Sequence, residues 1–387
     1  MENLRGHTFG EKLRERHLQA LWYDREIRPR EISTVRGDRV RVVYPGDWNC
    51  GGGPDFTGAV LELGAGRRIC GDVEIHLHPS AWKEHRHAEN PAYRNIVAHV
   101  FWLRGKRPPD LPRGAVSIDL GRFAQASFHP SEIDLEAYPF GVSPAADRPC
   151  RLRLAGDRER ALALLREAGM ARLRDKAERF ASLLAAGDRR EVFYRETMAA
   201  LGYSKNARAF REIARRVPLR ALVAEPQVAS AALVAAGGFG DLETGGMRPA
   251  NLPARRLAAA GILFSECGAA DLADATDFSP EGCRDMVRTL RAGGLVGAGR
   301  AAAIVANTVV PMAIAEGRLA SPPQRLPPED VPRIAKLTAQ RVLGPDIGRK
   351  EWARDGICIQ GLVRIRRECC LVHHPDCDGC AFGSPTD

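Results

Sequence analysis

At 387 residues the chain exceeds what one hydrophobic core covers, and its 44% hydrophobic and 27% charged residues are the proportions of an ordinary soluble globular protein. No window of about twenty residues is free of charge, the apolar run at 301–314 is short and follows Arg300, and the N-terminus MENLRGHTFGEKLRERH has no signal-type apolar core. The expectation is therefore a cytoplasmic chain with no membrane span, whose ten cysteines are thiols or metal ligands rather than disulfides.

The net charge of +9 is uneven: residues 1–150 carry 21 Lys and Arg against 20 Asp and Glu, and residues 151–387 carry 36 against 28. A basic second half suggests a polyanion partner, and an Arg-rich solvated surface is the plain alternative.

In chain order, EKLRERHLQALWY places Leu13, His17, Ala20 and Leu21 at helical spacing, with Glu11 and Glu15 one turn apart on the same side. EISTVRGDRVRVVYPG reads as two short strands about the turn Arg36-Gly37-Asp38. A glycine-rich loop then ends at Asp55, and strands 56–63 and 69–78 follow, joined by Gly64-Ala65-Gly66. Pro79-Ser80-Ala81-Trp82 opens a short helix with Ser80 as its cap. Strands 93–102 and 116–120 complete a mixed, strand-dominated domain over 1–148, and the proline-bearing segment 129–149 is loop or linker.

From 149 to 387 the apolar spacing is helical, so the fold class is α+β with an all-helical second domain. KNARAFREIARRVP carries Lys205, Arg208, Arg211, Arg215 and Arg216 along one side of a helix, as nucleic-acid contacts would need. Two loops interrupt the helical pattern. GGMRPANLPARR brings Arg248, Arg255 and Arg256, also read as nucleic-acid contacts, and GAGRAAAIVANTVVP starts a helix whose N–H groups can hold a phosphate or simply cap.

Residues 54–100 hold the densest chemistry, with five of the ten histidines beside Asp55, Asp72 and Glu74. GDVEIHLH alternates with strand period, so Asp72, Glu74, His76 and His78 share one face, which must meet solvent, a cleft or a metal. Phosphodiester cleavage needs carboxylates converging on Mg²⁺ or Mn²⁺ and a group that activates water, and a loop Asp55 followed by Glu74-Ile75-His76 supplies that layout. In a competing arrangement His85 and His87 join His76, His78 and His99 around Zn²⁺ or Mn²⁺. In a purely structural one Trp82, Tyr93, Asn95 and His99 brace the sheet. At the C-terminus Cys370, Cys377 and Cys380 in CLVHHPDCDGC suit a structural zinc, with Cys369, His373, His374 or Cys358 as fourth ligand. The spacing is also similar to the opening of the iron–sulfur loop of helix-hairpin-helix DNA glycosylases, but the chain lacks that loop's last cysteine, so zinc is preferred.

Asp55 and Glu74-x-His76 resemble the PD-(D/E)xK nuclease superfamily. That resemblance implies a restriction-endonuclease-like sheet, Asp55 and Glu74 as Mg²⁺ or Mn²⁺ ligands, and Glu11 or Glu15 as the further carboxylate. His76 stands where the superfamily has lysine, and an imidazole is not reliably cationic at neutral pH. Over nearly its whole length the chain also resembles the bacterial family called domain of unknown function 2851, through GPDF, GDVEIH, W-x-x-H-x-H, the 93–100 strand, LGYSKNARAF, RPANLPARR, NTVVP and IQGLVRIRRECC. The expected function is metal-dependent hydrolysis of nucleic acid, DNA ahead of RNA, with Asp55, Glu74, His76 and Glu15 or Glu11 as its catalytic residues. Asp72, Trp82, His85, His87, Tyr93 and His99 support them. A non-catalytic nucleic-acid-binding scaffold and a histidine-ligated metallohydrolase of a small molecule are the alternatives, and no oligomeric state is implied.

Overall fold

The structure, a computed structural model, describes residues 13–64, 66–123, 129–139, 149–154, 156–238, 242–244, 249–344, 347–373, 377, 379, 380 and 382. Glu11, Arg248 and His374, named above, lie outside them. The protein is α+β and divides into two compact units, 1–152 with 373–379, and 153–372 with 380–387. The boundary expected at 148 lies outside the described residues.

In the first unit α1 (Glu15–Tyr23) precedes the strands β1 (Ile32–Ser33), β2 (Arg39–Tyr44), β3 (Asp47–Trp48), β4 (Phe56–Leu63), β5 (Arg67–His76), β6 (Ile96–Phe101) and β7 (Val116–Asp119). They form one seven-stranded mixed sheet in the order β1-β2-β4-β5-β6-β7, with β3 paired to β4. The β2, β4 and β5 pairings are antiparallel, while β6 runs parallel to β5 and β7 parallel to β6. The meander needs only tight turns, and Gly37 and Gly64 take the left-handed backbone those turns require. A parallel step needs a crossover, which the 77–95 segment supplies with the short helix α2 (Ala81–Glu84).

Strand alternation then sorts the side chains. Val73, Ile75, Ala98, Val100 and Ile118 join Leu18, Leu21, Trp22 and Tyr23 of α1 in one core, each large member stabilising by roughly 1.5–3 kcal/mol. Glu74, His76 and His99 occupy alternate positions, Glu74 being paired with His99 and His76 with Phe101. Trp82, Tyr93, Ile96, Leu111 and Ala115 form a second, smaller cluster. Ser80 does not cap α2 with its side chain; its Oγ is 2.8 Å from His78 Nδ1 instead.

The regular elements described in the second unit are helices. Arg158–Ala185 crosses Gly356–Ile365 closely enough that a Cβ at Gly361 would stand 2.0 Å from the Leu165 carbonyl oxygen, and one at Gly169 2.1 Å from that of Ile357. The apolar run at 301–314 belongs to one continuous helix, Ala298–Ala315, which has the length and composition to cross a membrane. Two thirds of it is buried inside the unit (67%), as in a core helix, with Ala301, Ile304, Val305 and Val310 fully enclosed.

The basic helix Tyr203–Arg216 presents a less open stripe than its sequence suggests. Arg211 is held 2.8 Å from Glu196, Arg215 and Arg216 lie 3.1 and 3.4 Å from Glu212, and Lys205 is 3.6 Å from Glu243; Lys205, Arg208, Arg215 and Arg216 are all exposed.

Candidate functional site

Three elements build the site. The end of β5 supplies Glu74 and His76, the turn after α2 supplies His85 and His87, and β6 supplies His99. Arg86 takes a left-handed backbone, φ 54°, uncommon for a side-chain-bearing residue, and this turns His87 back toward the strand.

Glu74 Oε1 lies 3.5 Å from His76 Nε2 and 3.2 Å from His87 Nε2, and the two imidazole nitrogens are 3.2 Å apart. His85 adds a further nitrogen within 4.8 Å of those of His76 and His87. His76 Nδ1 is 2.9 Å from His99 Nε2, and Tyr93 stacks on His87 with ring centroids 4.0 Å apart. Trp82 packs edge-on against His87 and tilts against His99. Glu74 is 5%, His76 1% and His99 0% exposed, so this face is enclosed rather than open to solvent.

Asp55 stands just before β4 and meets Glu74 through its own main chain, its N–H donating to Glu74 Oε2 at 3.1 Å. Its carboxylate accepts from the Ile75 N–H at 2.9 Å and from Gln19 Nε2 at 2.7 Å. Asp55 therefore fixes the Glu74 carboxylate with Oε1 free to face the histidines. Gln19 went unread in the sequence, although it lies one turn from Glu15 on α1, the spacing that would have revealed it.

Electrostatics distinguish the two kinds of donor. Burial, then the charge of Glu74, raises the Asp55 carboxyl well above the usual range, and burial likewise raises Glu74, with Glu15 adding to both. Burial lowers His76 to about 2 and His99 to about 4, and it lowers His87 as well. The imidazoles are thus neutral and offer lone pairs, while the carboxyls hold protons that a cation would displace. Burial, Glu74 and Asp55 also raise the Tyr93 hydroxyl, so it is a neutral phenol.

The structure brings Asp55, Glu74, His76, His85, His87, His99, Trp82 and Tyr93 together, with Glu15 close enough to act on their charges. Asp72 departs from the expected row: its Oδ1 accepts from the Gly58 N–H at 3.0 Å, beside register shifts on both flanks of β5. His78 is likewise exposed and paired with Ser80. At the C-terminus Cys369 lies against Cys380, and burial with these neighbouring thiols raises it to about 11. Cys370 and Cys380 both act on Cys369, and Cys358 is 3.8 Å from the Asp355 carboxylate.

The family described as "Protein of unknown function (DUF2851)" matches residues 15–243. No curated protein and no solved structure matches the chain.

Proposed function

The chain belongs to the DUF2851 family, whose description assigns no activity, and we propose from its site that the first unit is a divalent-metal-dependent hydrolase of nucleic-acid phosphodiesters, the ion held by Glu74, His76 and His87. The carrying observation is the triangle of donor atoms with sides of 3.2, 3.2 and 3.5 Å. An ion with bonds of about 2.0–2.1 Å in tetrahedral geometry separates its ligands by about 3.3 Å, so these atoms can bind without rearrangement. Two neutral imidazoles and one carboxylate suit Zn²⁺ or Mn²⁺ better than Mg²⁺, which prefers oxygen throughout.

A bound ion would lower the pKa of its water and polarise the phosphoryl oxygen. His76 Nδ1–H donates to His99 Nε2 in the tautomer that turns Nε2 toward the ion. His85, exposed at the edge of the group, is placed to accept a proton from an entering water. The phosphodiester assignment is supported by the antiparallel β2-β4-β5 meander with Asp55 before β4 and Glu74-x-His76 closing β5, the arrangement that resembles the PD-(D/E)xK nucleases. Burial of the three donors favours a small-molecule substrate as the second reading.

The test is cleavage of single- and double-stranded DNA, RNA and a small aryl phosphodiester by the full chain with Mn²⁺ or Zn²⁺. His87→Gln should lower the rate by roughly 100-fold or more. Cleavage of the small ester alone supports the second reading, and bound metal with no cleavage of any substrate supports a non-catalytic scaffold.

A further inference from the structure

In the second unit the two loops that interrupt the helical pattern meet at one cavity of about 440 Å³. Its walls include Tyr203, Arg255, Arg256, Arg291, Arg300 and Asp330, so four guanidinium groups face a single carboxylate. Arg256 is only 4% exposed. Its Nη2 donates to Tyr203 Oη at 2.6 Å and to Asn251 Oδ1, while its Nε and Nη1 have no partner among the described residues. Arg300 stands over the Tyr203 ring, its guanidinium carbon 3.3 Å from the centroid; Nη1 donates to the Ala200 carbonyl at 3.3 Å and the buried Nε has no partner among the described residues. Tyr203 itself is held at φ 56°, a conformation that an aromatic residue rarely adopts and that places its ring against both arginines.

Burying a guanidinium with open donors costs several kcal/mol unless a partner satisfies it. Arg256 and Arg300, which carry these donors, line the same cavity as the start of the 18-residue helix Ala298–Ala315, whose N-cap Gly297 has no side chain to receive the first N–H groups. Asp330 closes against that start so tightly that a Cβ at Gly299 would lie 2.0 Å from its Oδ1. Planar forks of donors together with a helix N-terminus match the oxygens of a phosphoryl group, which offers several acceptors and two negative charges where a carboxylate offers two acceptors and one charge.

We propose that this cavity, framed by Tyr203, Arg255, Arg256, Arg291 and Arg300, binds a phosphate monoester. Arg255 and Arg256 are among the residues expected to contact nucleic acid; the burial of Arg256 points to recognition of one compact dianion. Its source is either a small phosphorylated molecule or the phosphorylated end of a nucleic acid. The site belongs to the second unit and stands independently of the ion site of the first.

Calorimetry on the full chain with inorganic phosphate, a nucleoside monophosphate, and matched 5′-phosphorylated and 5′-hydroxyl oligonucleotides tests it. Phosphate and the monophosphate should bind, and Arg256→Gln should weaken both by about ten- to a hundredfold. Should Arg256→Gln fail to fold, the exposed Arg255→Gln and Arg291→Gln keep the fold and should each weaken binding severalfold with a shallower salt dependence. Tighter binding of the 5′-phosphorylated oligonucleotide than of the monophosphate assigns the source to nucleic acid; the reverse assigns it to a small molecule. Absence of phosphate binding, or binding unchanged in Arg255→Gln, Arg256→Gln and Arg291→Gln, overturns the proposal. Glu74→Gln should leave phosphate binding intact, which separates this result from any failure of the ion site.

Discussion

Glu74 and His87 meet at 3.2 Å, carboxylate oxygen to imidazole Nε2, although one ends a central strand and the other leaves a turn that only the left-handed backbone of Arg86 can form. The contact joins a carboxyl raised by burial to an imidazole lowered by burial, so neither gains from the ordinary ion pair. A cation between them would relieve both, replacing a retained proton and satisfying a buried lone pair.

Removal of one donor should therefore abolish binding without loss of the fold. His87→Gln and Glu74→Gln are expected to lower Zn²⁺ or Mn²⁺ affinity by more than about 100-fold. Metal-free Glu74→Gln should melt no lower than the native protein, since it deletes a carboxyl whose charged form is disfavoured by burial. Titration calorimetry and thermal melts with and without metal measure the two effects.

Binding should also depend on pH with a definite sign. Asp55 and Glu74 are raised toward about 8 in the folded chain, so the metal-free protein loses stability as pH rises from the ordinary carboxylate range through that value. His76 and His99 are lowered, so their contribution is present above their unfolded pKa of about 6.5 and is lost as pH falls toward the folded values. Of these four groups, the two carboxyls are the ones that titrate between about pH 6.5 and 8, and metal takes the place of their protons. The rise in melting temperature on adding metal should grow across that window, with about one proton released per ion near neutrality, as read by calorimetry in buffers of different ionisation enthalpy.

His99 should act through His76 rather than on the ion. In the tautomer that turns His76 Nε2 toward the ion, His99 Nε2 accepts from His76 Nδ1–H, so His99→Phe is expected to reduce metal affinity by about 10- to 100-fold. His99→Gln, which retains an acceptor, should recover part of the loss.

The second unit offers a test of packing. A methyl group at Gly361 would collide with the Leu165 carbonyl where two buried helices cross. Gly361→Ala should cost about 1–3 kcal/mol or more in chemical denaturation, whereas Gly37→Ala, with open space around its Cβ, should cost only what its positive φ imposes.

Periodicity made much of this architecture legible. The two-residue alternation of GDVEIHLH placed Glu74 and His76 on one face, and the glycines at 37 and 64 marked the turns. What it could not give was the burial of that face, because Trp82 and Tyr93 cover it from the crossover segment, a tertiary contact without a local signal. Nor could it separate Asp72 from Glu74, since the register shift that turns Asp72 to the Gly58 amide depends on the partner strand. The partners of Arg211 and Arg256 were hidden for a similar reason: Glu196 and Tyr203, which hold them, lie well apart from them in the sequence. Gln19 was legible by its spacing from Glu15, yet glutamine carries no charge to draw attention to it.

The central claim is that one divalent ion sits in the triangle of Glu74, His76 and His87, and anomalous diffraction from crystals of the full chain grown with Mn²⁺ or Zn²⁺ tests it most directly. A single anomalous peak is expected within about 2.0–2.2 Å of Glu74 Oε1, His76 Nε2 and His87 Nε2. A metal-saturated crystal whose peak lies elsewhere, with these three side chains still in mutual contact, would contradict the account.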